Sequence, residues 1–216
     1  MRYNTIIWDL DGTLLNTIDD LRDCVNYVLA KFGYPLHTTE EMKMFVGSGI
    51  RVMLARATPD GEDNPHFEEM FSCFTDYYAI HCQDKTAPYL GIRETLAALR
   101  EAGCQMAIVT NKIQSAAEEL CHHLFPEVEI VIGDSPDIQK KPAPDGVYKA
   151  MSLLGADPKT TAYVGDSNID VETAKAAGLP CLAVLWGFRT KEQLLSYGAE
   201  HLFENTEDLL SYILGE

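Results

Sequence analysis

The apolar run Tyr3–Trp8 is the feature that most constrains how this chain can fold. It is short, apolar and stopped by an Asp-Gly turn at Asp11-Gly12, which is the pattern of a buried strand. The next segment reads as helix. Ile18, Leu21, Val25, Val28 and Leu29 recur at three- and four-residue steps between Thr17 and Phe32, and Gly33 supplies a stop. Thr38 or Thr39 caps a second helix that runs through Met42 to Val46. Gly47-Ser48-Gly49 breaks it, and Ile50, Met53, Leu54 and Ala57 restart the stripe. A polar loop, Thr58–Pro65, leads into an aromatic-rich helix over His66–Ile80. A buried strand must pair its N–H and C=O groups. No convincing strand lies between 16 and 82, so the partners of Tyr3–Trp8 must come from later in the chain.

After Asp84 the rhythm changes. Strands are expected at Cys104–Val109, Val128–Ile132, Thr161–Val164 and Cys181–Leu185. Helices are expected at Arg93–Ala102, Ser115–Leu124, Pro144–Leu154, Val171–Ala177, Lys191–Tyr197 and Glu207–Ile213. This alternation predicts an α/β fold with a parallel sheet covered by helices on both faces. The first strand belongs in that sheet. The organisation is therefore a core domain of residues 1-15 and 83-216, with a helical domain, 16-82, inserted after the first strand. Hinges are expected around Leu15–Thr17 and Cys82–Pro88.

The formal net charge of −16 argues against nucleic acid and anionic membranes as partners. An anionic substrate would have to be held by a few local cations and N–H groups. The six cysteines are scattered without a CxxC pair, as reduced core thiols are. No apolar run approaches the ~20 residues of a membrane span, and the first strand starts without a signal-like segment. A cytoplasmic location and a monomer or homodimer are the expectations.

In an open parallel sheet, ligands bind beyond the carboxyl ends of the strands. The first strand ends in Asp9 and Asp11, two apart and so on one face if the strand continues. Two such carboxylates stay ionised only with a cation between them, most simply Mg²⁺. Thr110-Asn111-Lys112 follows Val109, Gly165-Asp166-Ser167-Asn168-Ile169-Asp170 follows Val164, and Lys140-Lys141-Pro142 lies between them. Phosphoryl transfer to a carboxylate needs a nucleophile, charge neutralisation at phosphorus and a proton donor for the leaving oxygen. Asp9, Asp11, Thr110, Lys141, Asp166 and Asp170 supply candidates for each role. Singly, Thr110 or Asp166 reads as a helix cap and Lys141 as a surface lysine. Those readings do not explain why complementary chemistry follows several strands on one sheet edge.

Asp9-Leu10-Asp11-Gly12-Thr13-Leu14, Val109-Thr110-Asn111, Lys141-Pro142-Ala143-Pro144 and Gly165-Asp166-Ser167-Asn168-Ile169-Asp170 resemble, in order and spacing, the four motifs of the haloacid dehalogenase superfamily. The inserted helices resemble the cap of its phosphoglycolate phosphatase-like branch. The resemblance implies a Rossmann-like core and a Mg²⁺-dependent phosphatase acting on a small phosphorylated metabolite through an aspartyl-phosphate. Asp9 would be the nucleophile, and Asp11 the general acid/base. Thr110 and the Asn111 N–H would bind the phosphoryl group, and Lys141 would neutralise charge. Asp9, Asp11 through its carbonyl, Asp166 and Asp170 would hold the metal, Asp170 directly or through water. Asp11 argues against dehalogenase chemistry. A phosphosugar mutase of the β-phosphoglucomutase type, or a pyrophosphatase, is the alternative on the same core.

Substrate selectivity is expected from the cap. Gly47, Ser48 and Gly49 expose backbone N–H groups before a helix N-terminus, and Arg51 could reach a carboxylate. A plain helix–helix turn with a solvated arginine fits the same residues.

Overall fold

The computed structural model describes residues 1–216 and divides them into two compact units, Met1–Leu15 with Pro88–Glu216, and Asn16–Ala87. The chain begins with β1 (Thr5–Trp8) and β2 (Leu15–Asn16), then α1 (Ile18–Lys31), α2 (Thr39–Phe45), α3 (Ile50–Ala57) and α4 (Phe67–His81). It continues through β3 (Ala87–Pro88), α5 (Ile92–Glu101), β4 (Gln105–Ile113), α6 (Gln114–Leu124), β5 (Ile130–Asp134) and α7 (Asp145–Leu154). It closes with β6 (Thr161–Gly165), α8 (Asn168–Ala177), β7 (Cys181–Val184), α9 (Lys191–Ser196), β8 (His201–Phe203) and α10 (Thr206–Leu214).

Six strands form one sheet in the order β5-β4-β1-β6-β7-β8, and all its pairings are parallel. β1 lies inside this sheet, with Ile7 aligned to Ala107 on one side and to Tyr163 on the other. Every β1 residue is buried. Its side chains alternate between two cores, as a strand buried on both faces must. Ile6 and Trp8 pack with Leu96 and Leu99 of α5, Cys121 of α6 and Ile213 of α10. Ile7 packs with Val147 and Met151 of α7 and Ala174 of α8. The result is the three-layer, Rossmann-like α/β core that the alternating pattern predicts.

Strand and helix ends differ from their expected bounds where tertiary structure extends a local signal. β4 runs on to Ile113, past the expected end at Val109, with a register irregularity against β5 between Val109 and Ile113. α8 begins at Asn168 rather than Val171, because Ser167 and Asp170 form a capping box at its start. β8 (His201–Phe203) is an edge strand of three residues, too short for a periodicity to register. β2 and β3, two residues each, pair where the chain passes from one unit to the other and back.

The second unit contains α1 to α4. Their buried residues, among them Leu21, Val25, Leu29, Met42, Leu54, Phe67, Met70 and Phe74, fall at helical spacing. Thr38 caps α2 through a reciprocal bond with Glu41. This unit extends to Ala87 rather than stopping near Cys82. The Asp20 carboxylate of α1, 3 % exposed, accepts bonds from the backbone N–H of Lys85 at 3.0 Å and of Thr86 at 2.8 Å, and from Thr86 Oγ1 at 2.7 Å. It thereby holds residues 85–86 against the first helix. Asp20→Ala is expected to lower stability by ~1–3 kcal/mol in urea unfolding, because the part-buried donors of residues 85 and 86 lose a charged acceptor. Asp20→Asn should recover part of that loss.

Candidate active site

The four expected turns meet at the carboxyl edge of the sheet. Asp9 follows β1, and its backbone N–H still donates to Val164 O of β6 at 2.9 Å. The chain then turns. Gly12 has φ +97°, and the Thr13 and Leu14 N–H groups donate back to Leu10 O. The strand therefore does not continue to Asp11, and the two-residue parity used to bring Asp9 and Asp11 together no longer applies. Asp9 instead clusters with Asp166 and Asp170: all three are buried, with one carboxylate oxygen of each within 4.8 Å of the others. The Asp11 carboxylate pairs with Lys112 Nζ at 3.3 Å.

Lys141 anchors the cluster. Its Nζ lies 2.6 Å from Asp9 Oδ1, 2.7 Å from Asp170 Oδ1 and 3.0 Å from the Tyr163 hydroxyl. Its side chain is 6 % exposed, which is tolerable for an ammonium only because carboxylates surround it. The backbone at 141 is fixed by Asn111, whose amide accepts from Lys141 N at 2.9 Å and donates to Lys141 O at 3.1 Å. Thr110 is buried, and its Oγ1 accepts from Lys112 N at 3.2 Å.

Asp170 is fully committed. Oδ1 faces Lys141 and the Tyr163 hydroxyl, and Oδ2 accepts from Ser167 N at 3.0 Å and Ser167 Oγ at 2.6 Å. Asp166 Oδ2 accepts from Phe188 N at 2.6 Å, and Thr13 Oγ1 lies 3.5 Å from its Oδ1 and 3.4 Å from Asp9 Oδ2.

The electrostatics follow from this crowding. Burial, together with Asp170, pushes the Asp166 carboxyl up to about 7, against the pull of the Phe188 N–H, Arg189 and Lys141. Burial and Asp170 also push Asp9 well above the usual carboxylate range, with Lys141 opposing. Burial works against the Lys141 cation, but Asp170 and Asp9 together outweigh it and hold the ammonium well above the ordinary lysine value. Three carboxylates and one ammonium leave an excess of formal negative charge in a buried pocket. A hard, oxygen-seeking divalent cation fits that donor set.

Several contributors carried no expectation from the sequence. Tyr163 bridges Lys141 and Asp170 from within β6. Lys112 reaches Asp11. The loop Trp186–Arg189 after β7 also matters. Trp186 Nε1 donates to Thr13 O at 3.0 Å, and Phe188 N holds Asp166. Gly187 has no room for a Cβ, which would meet the Asp166 side chain and Gly12 O. The carboxyl-edge rule, applied to the strand ending near Leu185, points to this loop.

In the second unit the Arg51 guanidinium bonds Glu62 at 3.1 Å and also Glu68, and lies over the rings of Phe67 and Phe71. It is already ion-paired, where a substrate-binding role would have it reach out. Gly47 and Gly49 adopt positive φ and shape the turn before α3, and Ser48 Oγ accepts from Arg56 at 3.4 Å.

The model of the haloacid dehalogenase-like hydrolase family matches residues 6–184. A phosphoglycolate phosphatase of Pseudomonas putida is 34 % identical over 194 residues, covering 85 % of this chain and 70 % of that protein. The chain belongs to the haloacid dehalogenase-like hydrolases. An N-acetylmuramic acid 6-phosphate phosphatase of Pseudomonas aeruginosa is 31 % identical over 216 residues, covering 99 % and 96 % of the two chains. A crystal structure from Lactobacillus delbrueckii subsp. bulgaricus, provisionally described as a phosphoglycolate phosphatase, superposes with a TM-score of 0.96 at 34 % identity over the whole of both chains. The α/β core and the inserted helices are thus those of a hydrolase family with phosphatase relatives. No helix is long and apolar enough to cross a membrane.

A metal-loaded and a metal-free form should differ in pH response. Unfolded, Asp166 titrates near the ordinary ~3.9; folded and metal-free, it titrates at about 7. The folded state keeps a proton that the unfolded chain loses, so metal-free stability falls as pH rises through this window. We expect metal-free Tm to drop by on the order of 5 °C more in the wild type than in Asp166→Asn between about pH 5 and 7.5. Added Mg²⁺ should raise wild-type Tm more at the upper pH than at the lower, and do little to the variant.

Proposed function

We propose that the chain is a divalent-metal-dependent phosphomonoesterase working through phosphorylation of Asp9. The Lys141 ammonium, buried between Asp9 Oδ1 and Asp170 Oδ1, is the observation that carries this reading. It fixes one oxygen of Asp9 at the strand end and supplies a positive charge where phosphoryl oxygens would gather. Asp9 and Asp166 would hold a Mg²⁺ ion, which when bound offsets charge on the phosphoryl oxygens. Asp170 has both oxygens in use, so its part is to orient Lys141 and to add negative charge near the ion. Asp11, through its backbone carbonyl, would complete the metal site.

The residues then divide the chemistry. Asp9 attacks phosphorus and the ester oxygen departs, leaving an acyl-phosphate on Asp9. Lys141 and the Thr110 hydroxyl stabilise the charge spread over the transferring group, with the Asn111 N–H beside them. Asp11, outside the acidic cluster, gives a proton to the leaving oxygen and later takes one from the water that cleaves the acyl-phosphate. The sum is ester plus water to alcohol plus phosphate, with Asp9 and Asp11 restored.

The named relatives narrow the substrate. Phosphoglycolate and N-acetylmuramic acid 6-phosphate are both phosphomonoesters that also carry a carboxylate. A carboxylate-bearing phosphomonoester is the class we propose, with phosphoglycolate first. Recognition of that second anion falls to the inserted unit, with the Gly47-Ser48-Gly49 turn a better candidate than the ion-paired Arg51.

Asp9→Asn should lower phosphate release from p-nitrophenyl phosphate by ~10³-fold or more while circular dichroism stays native; near-normal turnover would end the nucleophile assignment. Chelation should abolish turnover and Mg²⁺ restore it. A free-phosphate screen of small esters should rank carboxylate-bearing ones above neutral sugar phosphates of similar size.

A further inference from the structure

β4 does more than end in a phosphate-binding threonine. Its course changes between Val109 and Ile113, where the register against β5 shifts, yet the strand continues to Ile113. Asn111 clamps the backbone of Lys141 from one side, by a donated and an accepted bond. Lys112, the next residue, sends Nζ to Asp11 Oδ1 at 3.3 Å. The Lys112 side chain is 4 % exposed and that of Asp11 24 %, so the cation is the buried member of the pair. Its backbone N–H is tied to Thr110 Oγ1 at 3.2 Å. A lysine is rarely buried without a specific task for its charge. None of the functions assigned to the metal, the phosphoryl group or the nucleophile uses this one.

We propose that Lys112 is a positioning residue for proton transfer, holding Oδ1 of Asp11 so that Oδ2 faces the leaving oxygen. The inference rests on the reading of Asp11 as general acid/base. The turn after β1 makes such a device necessary. Asp11 lies outside β1 in a turn closed by Gly12, and Lys112 is its only ion-pair partner within 4.0 Å. A carboxylate on a turn has many rotamers, and an acid works only within hydrogen-bond reach of the atom it protonates. Anchoring one oxygen from the rigid sheet removes that freedom. The two consecutive residues of β4 would then set the two halves of the reaction: Asn111 places Lys141 at the attacked phosphoryl group, and Lys112 places Asp11 at the departing oxygen.

The test is the dependence of kcat/KM on leaving-group acidity, measured with Mg²⁺ across 2,4-dinitrophenyl phosphate, p-nitrophenyl phosphate and alkyl phosphates. A good leaving group departs without a proton and a poor one does not, and kcat/KM reports the step that forms the acyl-phosphate. Lys112→Met is expected to lose ~10- to 100-fold on alkyl esters and less than ~3-fold on the dinitrophenyl ester. Lys112→Arg should recover most of the alkyl-ester loss. The Mg²⁺ concentration for half-maximal activity should stay within ~2-fold, since the residue does not act through the metal. Equal losses on every ester, no loss, or a shifted Mg²⁺ requirement would overturn the inference. If Lys112→Met does not fold, Lys112→Gln and Lys112→Arg give the same comparison. Asp11→Asn separates the two levels. A steepened leaving-group dependence there, with none in the Lys112 variants, sinks this inference alone. A flat response in Asp11→Asn sinks the acid/base reading itself.

Discussion

A buried ammonium among buried carboxylates is the interaction on which the rest of this structure depends. Lys141 touches Asp9 and Asp170 at 2.6 and 2.7 Å in a pocket almost closed to water. Such a pair contributes little net stability, because desolvating both charges offsets most of their attraction. Its worth lies in geometry. It fixes one oxygen of Asp9 at the strand end and holds the other carboxylates of the cluster close to it. It also makes the site intolerant of change, since removing one partner strands the other in a low-dielectric interior. Tyr163, Asn111 and Ser167 all serve this pair by holding Lys141 or Asp170 in place.

The sheet is what lets charges be buried so close together. β1 is covered on both faces, so its end is rigid and its neighbours β4 and β6 deliver their turns to the same edge. Backbone groups can then approach the cluster only where side chains are absent. A Cβ on Gly12 would lie 2.5 Å from Asp166 Oδ2, and one on Gly187 would also strike the Asp166 side chain. Both glycines allow loops from opposite ends of the chain to close on one carboxylate. The Trp186 indole, bonded to Thr13 O, ties those two loops together.

Much of this was legible in the residues. The placing of Asp9, Thr110, Lys141, Asp166 and Asp170 after buried strands, or between them, followed from one rule about where parallel sheets bind ligands. The inserted helices followed from the absence of a strand partner for Tyr3–Trp8. Three things were not legible. The pairing of Lys112 with Asp11 was hidden, because a polar Thr-Asn-Lys run after an apolar strand reads as its end while β4 in fact continues to Ile113. The loop 186–189 has no motif of its own, and its role comes from Phe188 N reaching Asp166 across the fold. The ion pairs of Arg51 could not be foreseen, because Glu62 and Glu68 lie 11 and 17 residues away along the chain.

By itself, then, the sequence determined the α/β core, its helical insertion and the set of groups that a phosphoryl-transfer site requires. These rest on local periodicity and on the obligation of buried backbone groups to pair. Only the tertiary structure decided how those groups are partnered. Asp9 and Asp11 looked like one carboxylate pair while the strand was imagined to run through both. The turn at Gly12 separates them, sending Asp9 to Lys141, Asp166 and Asp170 and Asp11 to Lys112. Electrostatic partnership depends on distances of a few ångströms between residues that can be a hundred or more positions apart, as Asp9 and Lys141 or Asp11 and Lys112 are. No spacing along the chain encodes that, and only the closed sheet edge sets it.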